Sequence, residues 1–222
     1  MYQMNAANCL APTTHEHIAR AAGDLRMGLP CLLRHDAERY VATAVETLNA
    51  DRFAALISRF GTPELVITPE RAWSIMSSAA ASDVAISPVR IRPPENAGLD
   101  WYARLADTQF DKPGAPVGPL HLLRVGDTYV QRLGLHLVKK AELLPAVMLF
   151  SVTTDDMLSD LALTSLDVAA ALEQVAKEPV LVPVAAAALP LEAYDTSNLQ
   201  VFRDPDGRTE HYAIEIGNPD RS

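Results

Sequence analysis

The chain has 222 residues, of which 49% are apolar and 21% charged, and a formal net charge of −9; it can bury one ordinary core with an appendage. The acidic balance excludes a phosphate-backbone binder, because nucleic-acid affinity rests on clustered Lys and Arg. No apolar run reaches the roughly 18 residues that span a bilayer, and residues 1–12 lack the basic start and apolar centre of a signal peptide, so a cytoplasmic protein without membrane partners is expected.

Residues 1–13 are expected to be a flexible N-terminus. Thr13 and Glu16 then form a capping-box pattern, and Ile18, Ala21, Ala22 and Leu25 fall at helical spacing, which predicts a helix to about Met27 that ends at Gly28. Two strands follow, at 30–33 and 40–45, joined by a polar turn over 34–39. A second helix is predicted over 50–60 and a buried strand over 64–67. Thr68, Pro69 and Glu70 supply an N-cap, a first-turn proline and a first-turn acid for the next helix.

From 87 to 118 the prolines Pro88, Pro93, Pro94, Pro113 and Pro116 predict a mostly irregular stretch, docked by Trp101, Tyr102 and Leu105. A short strand at 120–123 precedes a helix marked by Leu133, Leu137, Lys140, Ala141 and Leu144, which stops near Pro145. A buried strand is predicted at 146–150, a helix from Ser165 to Ala176 and a strand at 180–184. Runs at 199–203 and 210–216, separated by Asp204, Pro205, Asp206 and Gly207, read as a β-hairpin. The alternation defines a mixed α/β (α+β) fold with a C-terminal hairpin.

Chemistry-bearing residues are few. The two cysteines, Cys9 and Cys31, make neither a thiolate metal cage nor a disulfide framework. His15 and His17 lie two apart on a helix and point in different directions. His136 reads as a partly buried, hydrogen-bonded side chain. His121 and His211 lack a neighbouring nucleophile, and Asp155, Asp156 and Asp160 read as loop and cap residues. The best cluster is His35, Asp36 and Glu38 with Arg39, a residual-pocket candidate set against a solvated turn. No catalytic residue and no metal ligand is assigned.

Residues 184–220, with Ala188-Leu189-Pro190-Leu191, Phe202-Arg203-Asp204 and Glu210-His211-Tyr212-Ala213-Ile214, resemble the opening strands of the GTP cyclohydrolase II domain of riboflavin biosynthesis. The resemblance implies zinc-assisted ring opening of GTP in a parent protein, with the zinc-binding cysteines in a cyclohydrolase domain beyond Ser222. Residues 14–183 resemble the 3,4-dihydroxy-2-butanone 4-phosphate synthase domain in the order of their elements. At the place of that family's acidic loop, D-D-x-D-R-E-N-E-G-D, stands Arg34-His35-Asp36-Ala37-Glu38-Arg39-Tyr40. Opposite its G-H-T-E patch stands Tyr129-Val130-Gln131-Arg132.

The leading expectation is therefore a non-catalytic synthase-like domain of a GTP cyclohydrolase II protein, with the missing cyclohydrolase domain as its partner and folding, homodimerisation or control as its role. One alternative is a divergent synthase acting on ribulose 5-phosphate, with a displaced metal site at His35, Asp36 and Glu38. Another is a stand-alone binding or scaffold protein.

Overall fold

The computed structural model describes residues 10–76, 88–111, 120–177, 181–190, 197–203 and 210–217. The chain divides into two units, Met1–Gln174 and Val175–Ser222.

The first unit is built on a seven-stranded sheet of order β5-β4-β3-β6-β2-β1-β7. Its strands are β1 (Cys31–His35), β2 (Glu38–Ala44), β3 (Glu64–Ile67), β4 (Val89–Arg92), β5 (His121–Leu123), β6 (Ala146–Ser151) and β7 (Ser165–Asp167). Neighbours run antiparallel except β1 and β7, which are parallel. Its helices are α1 (Thr14–Arg26), α2 (Ala50–Phe60), α3 (Pro69–Ile75), α4 (Leu99–Ala106), α5 (Tyr129–Lys140) and α6 (Val168–Val175), whose last residue opens the second unit.

Local chemistry sets the ends. Thr13 and Glu16 form the predicted capping box of α1. Its C-terminus is a Schellman turn, in which the Leu29 and Gly28 amides donate to the Asp24 and Leu25 carbonyls at 2.8 and 3.0 Å. Gly28 has φ +72°, and a Cβ there would lie 2.4 Å from the Thr47 carbonyl oxygen, so glycine is required. Asn49 and Thr68 cap α2 and α3 through their side chains.

The sheet is covered on both faces. Val41, Leu65, Ile67, Ile91, Met148 and Phe150 meet Leu56 and Phe60 of α2, Ala72 and Ile75 of α3, and Tyr102 and Leu105 of α4 in one apolar cluster. The alternate residues of the same strands, such as Val147 and Leu149, point to the opposite face. There α5 comes close because Gly134 has no side chain; a Cβ would stand 3.1 Å from Val147 Cγ1. Buried Arg71 ties α3 to the end of α4 and to the chain after it, donating from Nε to the Leu105 carbonyl at 2.8 Å and from both Nη atoms to Asp111 at 2.6 and 2.8 Å.

Three segments depart from the sequence reading. Within the stretch expected to be irregular lie β4 and α4, with Tyr102 and Leu105 fully buried; Pro88 precedes β4 and Pro93 and Pro94 follow Arg92, so the prolines bound the strand and leave its ladder intact. Pro113 and Pro116 lie outside the described residues. The turn expected at 34–39 contracts to Asp36 and Ala37, because Arg34 pairs with Arg39 and His35 with Glu38 and Asp36 takes φ 50°. Residues 165–167 extend the sheet as β7, and the helix begins only at Val168, where Asp167 Oδ1 accepts from the Ala170 amide at 2.9 Å.

The second unit contains a three-stranded antiparallel sheet of order β10-β9-β8, formed by β8 (Val182–Ala188), β9 (Ser197–Arg203) and β10 (Glu210–Ile216). The expected hairpin is β9 and β10, and its turn residues 204–207 lie outside the described residues. β8 adds a third strand that includes the alanine run 185–188.

Candidate functional site

Antiparallel pairing brings the ends of five strands to one edge on the α5 face. His35 closes β1 and Glu38 opens β2 directly opposite it. Two residues along, Tyr40 stands opposite Ser151 at the end of β6. Glu64 opens β3 opposite Leu149, and Arg90 and Arg92 of β4 stand opposite Leu123 and His121. The strand period of two puts all of these side chains on one face, and the N-terminal turn of α5 covers that end.

The centre of the site is an ion pair. Arg90 donates from Nε and Nη2 to Glu64 Oε2 at 3.0 and 2.9 Å, and from Nη1 to the Val125 carbonyl at 2.8 Å. Gln131 Nε2 donates to Glu64 Oε1 at 2.6 Å. Both Glu64 oxygens are thus engaged, with the Glu64 and Arg90 side chains only 11% and 17% exposed. Gln131 is buried, and its Oε1 has no hydrogen-bond partner among the described residues.

Beside the ion pair lie two titratable pairs. The Tyr40 hydroxyl donates to Glu38 Oε2 at 2.9 Å; burial, then the bond to Glu38, push the phenol up to about 12. It therefore stays protonated at neutral pH and fixes the exposed Glu38 carboxylate as an acceptor. His35 Nε2 lies 3.8 Å from Asp127 Oδ2, within reach of an ion pair when the imidazole is protonated. The imidazole also lies 5.5 Å from the Tyr129 ring, centroid to centroid.

Next to Tyr40 and the ion pair the surface opens into a cleft of about 400 Å³, lined by Thr62, Glu64, Arg92, Glu95, Leu149 and Ser151 among others, with walls of Pro63, Pro93 and Pro94.

The residual-pocket candidates are split by the strand period. His35 and Glu38 share the α5 face, and Asp36 sits in the exposed turn. Arg39 belongs to the alternate set, and its Nε lies 3.2 Å from Asp155 Oδ1. The acidic patch is tied to arginines, Asp160 pairing with Arg59. His136 is partly buried, and burial, then Lys140 and Lys139, depress its imidazole. Glu64, Arg90 and Asp127 escaped the sequence reading because they are distant in the chain, and Tyr40 because only strand register shows that it shares a face with His35 and Glu38. The sequence signal for this end was the segment Tyr129-Val130-Gln131-Arg132, which stands opposite the G-H-T-E patch of the resembled family.

No protein-family profile matches the chain, and no curated protein sequence matches it. Solved structures do. RibBX, a two-domain 3,4-dihydroxy-2-butanone 4-phosphate synthase from A. baumannii, aligns with a TM-score of 0.54 at 14% identity, covering 90% of this chain and 70% of that one. A cation-free 3,4-dihydroxy-2-butanone 4-phosphate synthase aligns with a TM-score of 0.51 at 13% identity, covering 71% of this chain and 96% of that one. A third, a synthase in complex with two magnesium ions, gives 0.50 at 14% identity, covering 71% and 95%. The fold resembles the synthase core.

These matches correct the leading sequence reading. They point to a synthase fold and not to a GTP cyclohydrolase II domain, and the two-domain synthase spans all but a tenth of this chain. The similarity at 184–220 rested on short strand motifs whose alternation suits any amphipathic hairpin. The zinc and the missing cyclohydrolase partner were expected on that resemblance alone. Among the described residues, no helix is long and apolar enough to cross a membrane.

The magnesium named for one of these synthases finds no fitting ligand set in this cleft. Among the described residues no three His, Cys, Asp or Glu side chains come together to hold a metal ion. Glu64 is saturated by Arg90 and Gln131, and a guanidinium at that distance repels a divalent cation.

Proposed function

We propose that the protein is a divergent enzyme of the synthase fold, acting by proton transfer on ribulose 5-phosphate or a phosphorylated ketose of the same class. One observation supports this above the others: His35, Glu38 and Tyr40 share one face at a sheet edge beside a cleft large enough for a small ligand. In this reading Glu38, held by Tyr40, takes a proton from the carbon next to the carbonyl. His35, oriented by Asp127, returns one to the developing alkoxide. Gln131 and Arg90 occupy both Glu64 oxygens and keep that carboxylate out of the reaction, and the Tyr129 ring packs beside the imidazole.

The site falls within the synthase-like region expected at 14–183. Dimerisation belongs to the same proposal and is read by light scattering.

The test is incubation of the purified chain with ribulose 5-phosphate, following loss of the sugar and appearance of 3,4-dihydroxy-2-butanone 4-phosphate together with the formate that balances the lost carbon. Turnover above a no-enzyme blank that falls about 100-fold or more in Glu38→Gln supports the reading, since a positioned base is worth roughly 10² to 10⁴. Turnover unchanged in Glu38→Gln, or none in the parent chain, defeats it.

A further inference from the structure

The structure assigns Arg92 as the anchor for the anionic group of the ligand, a metal-independent subsite at the far end of the same cleft; this rests on the function proposed above. The Glu64 carboxylate in the cleft wall is neutralised by Arg90, so the charges left to meet a ligand there are those of Arg92 and Glu95. Arg92 is exposed and makes no hydrogen bond or ion pair with the described residues. Its position is nevertheless fixed, because it ends β4 in register with His121 and is followed at once by Pro93 and Pro94, whose locked φ angles keep the rim in place.

Opposed residues on neighbouring antiparallel strands stand about 5 Å apart, so His121 reinforces Arg92 when protonated. Thr62 and Ser151 bring hydroxyl donors to the same walls. An exposed guanidinium in a cleft that also carries hydroxyls is the chemistry that recognises a phosphate or carboxylate with two or more oxygens. Glu95 opposes such an anion and sets an upper limit on affinity. The substrate class that follows is a small molecule with a terminal anionic group, bound without a bridging divalent cation.

Isothermal titration of the full chain with ribulose 5-phosphate and, separately, inorganic phosphate, each in excess EDTA and in millimolar magnesium, tests this. Expected is binding of both probes to the same extent in EDTA and magnesium, weakened at least 10-fold in Arg92→Gln, partly restored in Arg92→Lys, and tightened two- to threefold in Glu95→Gln. Binding that requires magnesium, or that is unchanged in Arg92→Gln, overturns the inference and leaves the proposed function standing. Phosphate binding that depends on Arg92, without any tighter binding of the sugar phosphate, upholds the subsite and removes the proposed function. Absence of binding by either probe overturns both. Arg92 is exposed, so its variants are expected to fold, and an unchanged melting temperature verifies this.

Discussion

At the scale of single residues, two protonated side chains tie stability to alkaline pH. Burial pushes the Cys31 thiol up to about 12 from an ordinary 9, and burial with the Glu38 hydrogen bond pushes Tyr40 up to about 12 from 10. Both groups lose their protons more readily in the unfolded chain. Unfolding therefore releases protons once the pH exceeds about 9, so this stabilisation is complete below pH 9 and is lost between about 9 and 12. Melting temperatures at pH 8, 9.5 and 11 should fall across that series. A Cys31→Ala variant, once corrected for its lower stability at pH 8, should fall less between pH 8 and 9.5, where the thiol responds most. A flat profile to pH 11 would contradict the burial assigned to both groups.

Two contacts between elements decide how the helices sit. Gly134 lets α5 lie against β6, and a larger side chain would meet Val147 and Leu149. Gly134→Leu should cost about 1–3 kcal/mol or more through overpacking, although leucine is the better helix former. Denaturant unfolding with an unchanged midpoint would show that α5 does not approach the sheet there. Arg71 closes α3 onto the carbonyls at the C-terminal end of α4, and its replacement by Met should cost about 2–4 kcal/mol, because buried carbonyls and Asp111 lose charge-assisted donors. A midpoint shift worth less than about 1 kcal/mol would argue against that clamp. The caps of α1 and α3 and the β9–β10 hairpin were legible in the sequence because they depend on residues a few positions apart. Strand β4 and helix α4 were obscured by flanking prolines, and β7 was mistaken for a helix start because its three residues carry too little period to declare themselves.

At the scale of the molecule, the mixed α/β core was legible from the order of its elements, and the site was legible only in fragments. His35 and Glu38 stood out as a local cluster, but sequence alone placed Asp36 and Arg39 with them. Register reassigns these: the β1–β2 pairing puts His35 and Glu38 side by side and sends Arg39 towards Asp155. It also brings in Tyr40, Glu64 and Arg90 across three strands. The short motifs of the second unit suggested a cyclohydrolase domain, whereas solved structures similar to this chain include several 3,4-dihydroxy-2-butanone 4-phosphate synthases. The proposed proton transfer on a ketose phosphate in the edge cleft is read more directly by proton exchange than by product formation. Ribulose 5-phosphate incubated with the protein in deuterium oxide and followed by proton NMR should lose the signals of the hydrogens next to its carbonyl faster than in a blank. That exchange should be abolished in Glu38→Gln and strongly reduced in His35→Gln. Exchange no faster than the blank with the parent protein, or equally fast in Glu38→Gln, would contradict the account.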